Sequence, residues 1–259
     1  AYGRFVDTLG GRYLTTTDVG STGRDMEYIK QETDYVVGLP TTAGGSGDTS
    51  VMTGLGVYMG MKACAKEAWG TDSLTGKTVA MQGFGKVATH TAHHLIKEEA
   101  KLVVTDVYEG ALERARDLGL TVVEPDDIYG VDCDIFAPCA LGGVINPNTI
   151  PRLKCKVVAG GANNQLLSDA DGEELHRLGI IYGPDYILNS GGIINAEAEI
   201  GREYNPDRAR EKTERIYGIM KKVIARSKRE EIPTAKAADY LAEDRLSSVR
   251  NIRHVYRSS

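Results

Sequence analysis

From about Gly76 onward, short runs of β-branched and other apolar residues alternate with stretches in which apolar positions recur every three or four residues. The runs Lys77–Met81, Lys101–Thr105, Leu120–Val123, Cys133–Phe136, Lys156–Ala159 and Ile180–Tyr182 predict strands, and Tyr186–Leu188 is a further candidate. Between the first two runs, Val87, Ala88, Thr91, Ala92 and Leu95 repeat at helical spacing. A helix-length crossover returns the chain to the same end of a sheet, so repeated alternation of this kind predicts parallel strands covered on both faces. The expected fold class is α/β, a Rossmann-like doubly wound parallel sheet. Outside this stretch the pattern changes. In the tail, Ile216, Ile219, Met220, Val223 and Ile224 mark one side of a long amphipathic helix, and Ile232-Pro233-Thr234 carries the proline and N-cap signals of another. Residues 38–232 are therefore read as one domain with a connecting helix. Residues 1–37 and 233–259 are read as remnants of a second domain.

The strongest local motif follows the first strand. Gly83-Phe84-Gly85-Lys86-Val87-Ala88 fits G-x-G-x-x-A between a strand and a helix, the context in which that pattern binds a dinucleotide. Gly83 permits the tight turn, Gly85 lets a pyrophosphate approach the helix N-terminus, and Ala88 allows close helix–strand packing. Asp106 ends the next strand, where a carboxylate accepts hydrogen bonds from ribose hydroxyls and repels a 2′-phosphate. NAD is expected over NADP. Lys86 and Arg114 could contact a phosphate, but they read more simply as solvated helix cations.

Composition narrows the remaining classes. The 259 residues are 41% hydrophobic and 26% charged with a formal net charge of −5, so neither disorder nor a basic face for nucleic acid is expected. No apolar run approaches the roughly 18–20 residues of a membrane span and no signal pattern opens the chain, which gives the expectation of a cytoplasmic protein. Cys64, Cys133, Cys139 and Cys155 are widely spaced and read as reduced, mostly buried thiols. His90, His93 and His94 include an i, i+4 pair but no third ligand, so no metal is expected. The chain opens at Ala1 rather than Met, with a helix-like Tyr2-Gly3-Arg4-Phe5, and is read as beginning inside a longer protein.

Five longer motifs then come in order: Thr17-Asp18-Val19-Gly20, Gly44-Gly45-Ser46-Gly47-Asp48, Cys133 to Ala140, Ala159 to Gln165, and Pro184 to Gly192. Together they resemble the leucine, phenylalanine and valine dehydrogenases across essentially the whole chain. The resemblance implies an enzyme of two domains around a deep cleft that converts an L-amino acid to its 2-oxo acid and ammonia while hydride passes to NAD, working as a homo-oligomer. It implies that Asp18 is the catalytic acid–base at the substrate nitrogen, although an N-cap role before the following helix is the alternative. It implies that Asn164 helps to hold the substrate carboxylate, and that Ala162, Asn163 and Asn189 lie by the nicotinamide ribose and carboxamide. Ala140 would lie against the cofactor and Thr53 would contact its nicotinamide side.

The family's two active-site lysines lie upstream of the Thr-Asp-Val-Gly segment, one of them in a Gly-Gly-x-Lys motif that does not occur in this chain. The expectation is a site completed from before Ala1 or by a partner chain. A non-catalytic NAD-binding fragment is the alternative. The side-chain pocket is expected to use Ile193, Ala196 and Val37, an aliphatic lining that favours leucine, valine, methionine or phenylalanine over glutamate, because burying an unpaired carboxylate is costly.

Overall fold

In the computed structural model, which describes residues 1–18 and 20–250, six strands form one parallel sheet in the order β3-β2-β1-β4-β5-β6. The strands are β1 (Thr78–Gln82), β2 (Lys101–Thr105), β3 (Thr121–Val122), β4 (Ile135–Pro138), β5 (Val157–Val158) and β6 (Ile181–Tyr182). Val19, and the segment 251–259 expected to belong to a second domain, lie outside the described residues.

The register pairs Gln82 with Thr105 on one side and with Pro138 on the other, so three strands end level with one another. The order reverses at β1, and the crevice at the carboxyl ends beside such a reversal is where open α/β sheets bind ligands. Successive side chains of a strand face opposite ways. Accordingly Val79 and Met81 join the core on one face while Ala80 joins the core on the other, with Phe136, Val158 and Tyr182.

The first face is covered by α3 (Ser50–Trp69), α4 (Lys86–Lys97) and α10 (Ile216–Glu230), while α5 (Glu109–Asp117) and α6 (Asp169–Arg177) fill the crossovers after β2 and β5. Helix α4 buries Ala88, Thr91, Ala92 and Leu95, the stripe read from its spacing. Helix α10 buries Ile216, Met220, Val223 and Ile224, whereas Ile219 is exposed at the edge of that stripe. Helix α3 is buried on several sides. At Gly60 a side chain would collide with that of Leu188, and at Gly56 a Cβ would lie 2.6 Å from the Leu188 carbonyl, so the helix backbone itself lies against the segment after β6.

That segment corrects one expectation. Tyr186–Leu188 is not a strand but part of the short helix α7 (Asp185–Leu188). Pro184 starts it, the Asp185 carboxylate accepts the Tyr186 N–H at 2.6 Å, and the Leu188 N–H returns to the Pro184 carbonyl at 3.1 Å. Three apolar residues carry no periodicity of their own, and this turn chemistry decided their conformation. Leu188 is fully buried. It is followed by α8 (Gly191–Glu197) and α9 (Pro206–Glu214).

The chain ends behave differently from each other. Helices α1 (Tyr2–Thr8) and α2 (Gly23–Lys30) pack on each other, and a parallel bridge joins Thr15 to Val36. At the other end, α11 (Thr234–Arg250), expected to group with the second domain, packs against the sheet domain instead: Ala237 and Ala238 are buried in the main core, and Thr234 Oγ1 donates to the Tyr182 carbonyl at 2.6 Å. All four cysteines are free thiols. Among the described residues no helix is long and apolar enough to cross a membrane.

Because Leu188 is enclosed by glycine backbone that cannot move inward without distorting α3, Leu188→Ala should cost about 2–5 kcal/mol of unfolding free energy. The exposed Leu167→Ala should stay within about 0.5 kcal/mol of wild type. Urea denaturation of both variants checks this, and equal midpoints would contradict the packing described.

Candidate functional site

The carboxyl ends of β1 and β4 open into a cleft of about 810 Å³. One wall is the N-terminus of α4. Gly83 leaves β1 with φ +97°, and a Cβ there would lie 2.6 Å from the Ala140 side chain and 2.8 Å from its nitrogen. Ala140 therefore abuts the turn. Phe84 turns its ring into the core, and its N–H donates to Asp106 Oδ2 at 2.6 Å. Asp106 Oδ1 accepts the Tyr108 N–H at 2.9 Å, so the acid at the end of β2 also holds the glycine turn in place. Gly85, Lys86 and Val87 line the cleft, and a Cβ at Gly85 would meet no described atom within 4 Å. This is the open approach that an anion needs at a helix N-terminus, where the first-turn N–H groups lack partners within the helix. Ala88 packs in the core below. Arg114 is not simply solvated: it donates to the Gly110 carbonyl at 2.7 Å and reaches the Phe84 carbonyl at 3.4 Å.

The second wall consists of two loops after β5 and β6. The Ala162 N–H donates to the Pro138 carbonyl at 3.0 Å, and the Gln165 N–H to Asp185 Oδ2 at 3.0 Å, which ties the first loop to β4 and to α7. Asn189 Nδ2 donates to Asn163 Oδ1 at 2.5 Å, and both side chains line the cleft. Asn164 is exposed beside them with φ +51°, a left-handed conformation that asparagine tolerates better than most residues. Its carbonyl accepts the Gly143 N–H at 2.7 Å.

The third wall combines the chain's beginning with the start of α3. Thr17, Asp18, Ser21 and Thr22 face the cleft along with Asp48, Thr49, Ser50 and Thr53. Helix α2 is capped by Thr22 in a reciprocal box with Asp25, so the N-cap role considered for Asp18 is filled by another residue. The Asp18 N–H donates to Ser21 Oγ at 2.8 Å, closing a turn that leaves Asp18 exposed at the cleft. Asp48 received no role from the sequence, yet Oδ1 accepts from Ser50 N at 2.9 Å and Ser50 Oγ at 2.6 Å while Oδ2 lies 3.1 Å from Lys86 Nζ. Partial burial pushes the Asp48 carboxyl up, but the bonds from Ser50 and Lys86 outweigh it and hold the group below its ordinary range. The only local signal was an acid before a helix; the pairing with Lys86, 38 positions on in the chain, had none.

The structure does not bring every expected residue together. Val37 is buried and lines a separate recess with Leu39 and Ile200, Ala196 is buried, and Ile193 is 72% exposed. These three, expected to form a substrate pocket, do not line the cleft. Cys139 does, and burial pushes its thiol up to about 11. Among the described residues no cluster of His, Cys, Asp and Glu could hold a metal ion. What remains is a cleft lined by the start of α4, an amide pair and the acids Asp18 and Asp48.

Comparison with known proteins identifies the family. The glutamate/leucine/phenylalanine/valine dehydrogenase family profile matches residues 44–120 and 107–253. Leucine dehydrogenase of Geobacillus stearothermophilus is 54% identical over 254 residues, covering 98% of this chain and 69% of that protein. Phenylalanine dehydrogenase of Caldalkalibacillus thermarum is 42% identical, covering 95% and 68% respectively. Among solved structures, L-tryptophan dehydrogenase from Nostoc punctiforme superposes with a TM-score of 0.82 at 41% identity, over 96% of this chain and 72% of that one. Hetero-hexameric glutamate dehydrogenase from Thermus thermophilus gives a TM-score of 0.80 at 23% identity over 98% and 69%, a likeness of fold alone.

Gly83→Val places a branched side chain on backbone at positive φ and against Ala140, so the turn must move. Affinity for a dinucleotide probe such as NADH, read by fluorescence titration, should fall by roughly 5- to 150-fold, the factor that a strain of about 1–3 kcal/mol corresponds to. Unchanged affinity would place the dinucleotide elsewhere.

Proposed function

The chain belongs to the glutamate/leucine/phenylalanine/valine dehydrogenase family, and from that premise we propose that it serves the reversible oxidative deamination of an apolar L-amino acid to a 2-oxo acid and ammonia, with NAD as hydride acceptor. The observation that carries the proposal is that Asp18, the Asn163–Asn189 pair and the open turn at Gly85 line one cleft. Apolar rather than acidic substrates are favoured because relatives named for leucine, phenylalanine and valine share 42–54% identity with the chain.

The residues fit a dinucleotide. Gly85 and the positive end of α4 receive the pyrophosphate. Each Asp106 oxygen keeps a lone pair beyond its backbone bond, enough to accept ribose hydroxyls, and its charge disfavours a 2′-phosphate. When bound, NAD supplies the two-electron acceptor. Asn163 and Asn189, whose amides give and take hydrogen bonds without adding charge, orient the nicotinamide end, Thr53 packs on the same side, and Asn164 meets the substrate carboxylate. Asp18 takes a proton from the substrate ammonium before hydride leaves the α-carbon. It then takes a proton from the water that adds to the resulting iminium carbon and passes it to the nitrogen, which departs as ammonia while the water oxygen becomes the oxo group. A binding chain without turnover is the second reading, favoured by one observation: the cleft's lysine, Lys86, is already paired with Asp48. A homo-oligomer is part of the proposal, because Tyr2, Phe5 and Tyr13 offer exposed apolar surface on the segment before the sheet domain.

In the full protein, initial rates of NAD reduction should be higher with L-leucine, L-valine or L-phenylalanine than with L-glutamate. Turnover of glutamate alone would overturn the substrate class, and NADH binding without turnover of any amino acid would favour the second reading. NADH should bind more tightly than NADPH, with Asp106→Ser narrowing the gap; equal affinities for the wild type would remove Asp106 from cofactor choice. For Asp18→Asn, kcat should fall by about 10²–10⁴ while NADH affinity stays near wild type. Wild-type turnover in that variant would exclude Asp18 from the chemistry.

A further inference from the structure

The loop Gly44–Asp48 contributes to one wall of the cleft, yet the scheme above gives it no task. Two side chains one helical turn apart hold it. Glu199, just beyond the end of α8, accepts the Ser46 N–H at 2.6 Å and the Gly38 N–H at 2.9 Å, both on Oε1. Asn195 on α8 is almost completely buried; its Nδ2 donates to the Ser46 carbonyl at 3.1 Å, and its Oδ1 accepts the Tyr204 hydroxyl at 2.7 Å. Both backbone groups of Ser46 are therefore gripped by side chains about 150 positions away in the chain.

The second bond of Glu199 matters as much as the first. Gly38 follows directly on Val37, whose N–H donates to the Thr15 carbonyl at 2.9 Å, and from Thr15 the chain runs through Thr17 to Asp18. On the other side, α8 begins two residues after Asn189. One carboxylate oxygen thus joins the segment bearing Asp18, the loop bearing Asp48 and the helix that continues from Asn189.

We propose that Glu199 is a positioning residue for the deamination, setting the distance between the Asp18 wall and the Asn163–Asn189 wall; the proposal rests on the functional reading above. Glu199 does not line the cleft and acts through the segments it holds. A carboxylate that accepts two N–H bonds makes a stronger tie than a neutral acceptor, and removing it strands two part-buried donors. The glycine turn itself is held by Asp106, and the loop meets α4 at the largely exposed Asp48–Lys86 pair. Cofactor affinity and wall position are therefore separable.

Glu199→Ala should lower kcat by about 10- to 100-fold, the scale of an ångström-sized misplacement, while the NADH dissociation constant stays within about twofold. Rates are normalised to NADH-binding sites, so that loss of folded protein does not mimic the effect. Glu199→Gln, which keeps an oxygen acceptor, should recover most of the turnover. Should Glu199→Ala not fold, Tyr204→Phe removes the partner of Asn195 Oδ1, which loosens the side chain that grips the Ser46 carbonyl, and should give about a fivefold fall with the same separation from NADH affinity. An unchanged kcat per binding site, or a parallel loss of NADH affinity, overturns the proposal. Hydrogen exchange provides an arm that needs no turnover: the Gly38–Asp48 amides in either variant, and the Thr15–Asp18 amides in Glu199→Ala, should exchange at least about fivefold faster, with Gly83–Gly85 unchanged. Unaltered exchange in the first two segments overturns the proposal even if wild-type protein turns over no amino acid, the result that would count against the functional reading itself.

Discussion

The site depends on how closely helix α3 approaches its neighbours. A side chain at Gly191 would collide with the Met52 carbonyl, and a Cβ at Gly54 would lie 2.7 Å from that of His90 on α4. Such contacts leave no room for a shift in register, because packed backbone has no rotamers through which to yield. The start of α3, the start of α4 and the loop from Asn189 to Gly192 consequently meet at one place. That place is also where the strand order reverses, so the ligand crevice offered by the sheet and the polar ends of three segments coincide.

Within this frame the two sides of the cleft are held by different means. On the cofactor side, strands, a helix start and the Asp106 carboxylate fix the glycine turn through contacts close in space and largely within the sheet domain. On the Asp18 side, a few hydrogen bonds span long stretches of chain: Asp48 to Lys86, Asn195 to Ser46, and Glu199 to Gly38 and Ser46. The proposed reaction, with hydride passing at one wall and protons at the other, needs both walls at a set separation. The Rossmann half meets that need by packing and the other half by polar ties.

Much of this was legible in the chain. The β-branched runs from Lys77 to Tyr182 became strands with edges displaced by one or two residues, and the spacing of Ala88, Thr91, Ala92 and Leu95 marked the buried face of α4. Motifs placed Asp18, Thr53, Gly85, Asn163 and Asn189, which do line one cleft. What escaped was set by one local turn and otherwise by contacts distant in sequence. Tyr186–Leu188 reads as apolar and says nothing of the Pro184–Asp185 turn chemistry that made it helical. The aliphatic character of Val37, Ala196 and Ile193 is plain, but whether such residues face a substrate depends on the rotation of α8 and the course of the loop before α3. The ties made by Asp48 and Glu199 join residues with no periodic relation at all.

In the proposed reaction, cofactor and amino acid meet between Asp18 and the asparagine pair. The most direct measurement is a crystal structure of the full protein with NADH and 4-methyl-2-oxopentanoate. The expected result is the pyrophosphate at Gly85, the nicotinamide between Thr53 and the Asn163–Asn189 pair, and the oxo carbon between the ring and the Asp18 carboxylate. A nicotinamide bound outside this cleft, or an oxo acid facing away from Asp18, would contradict it.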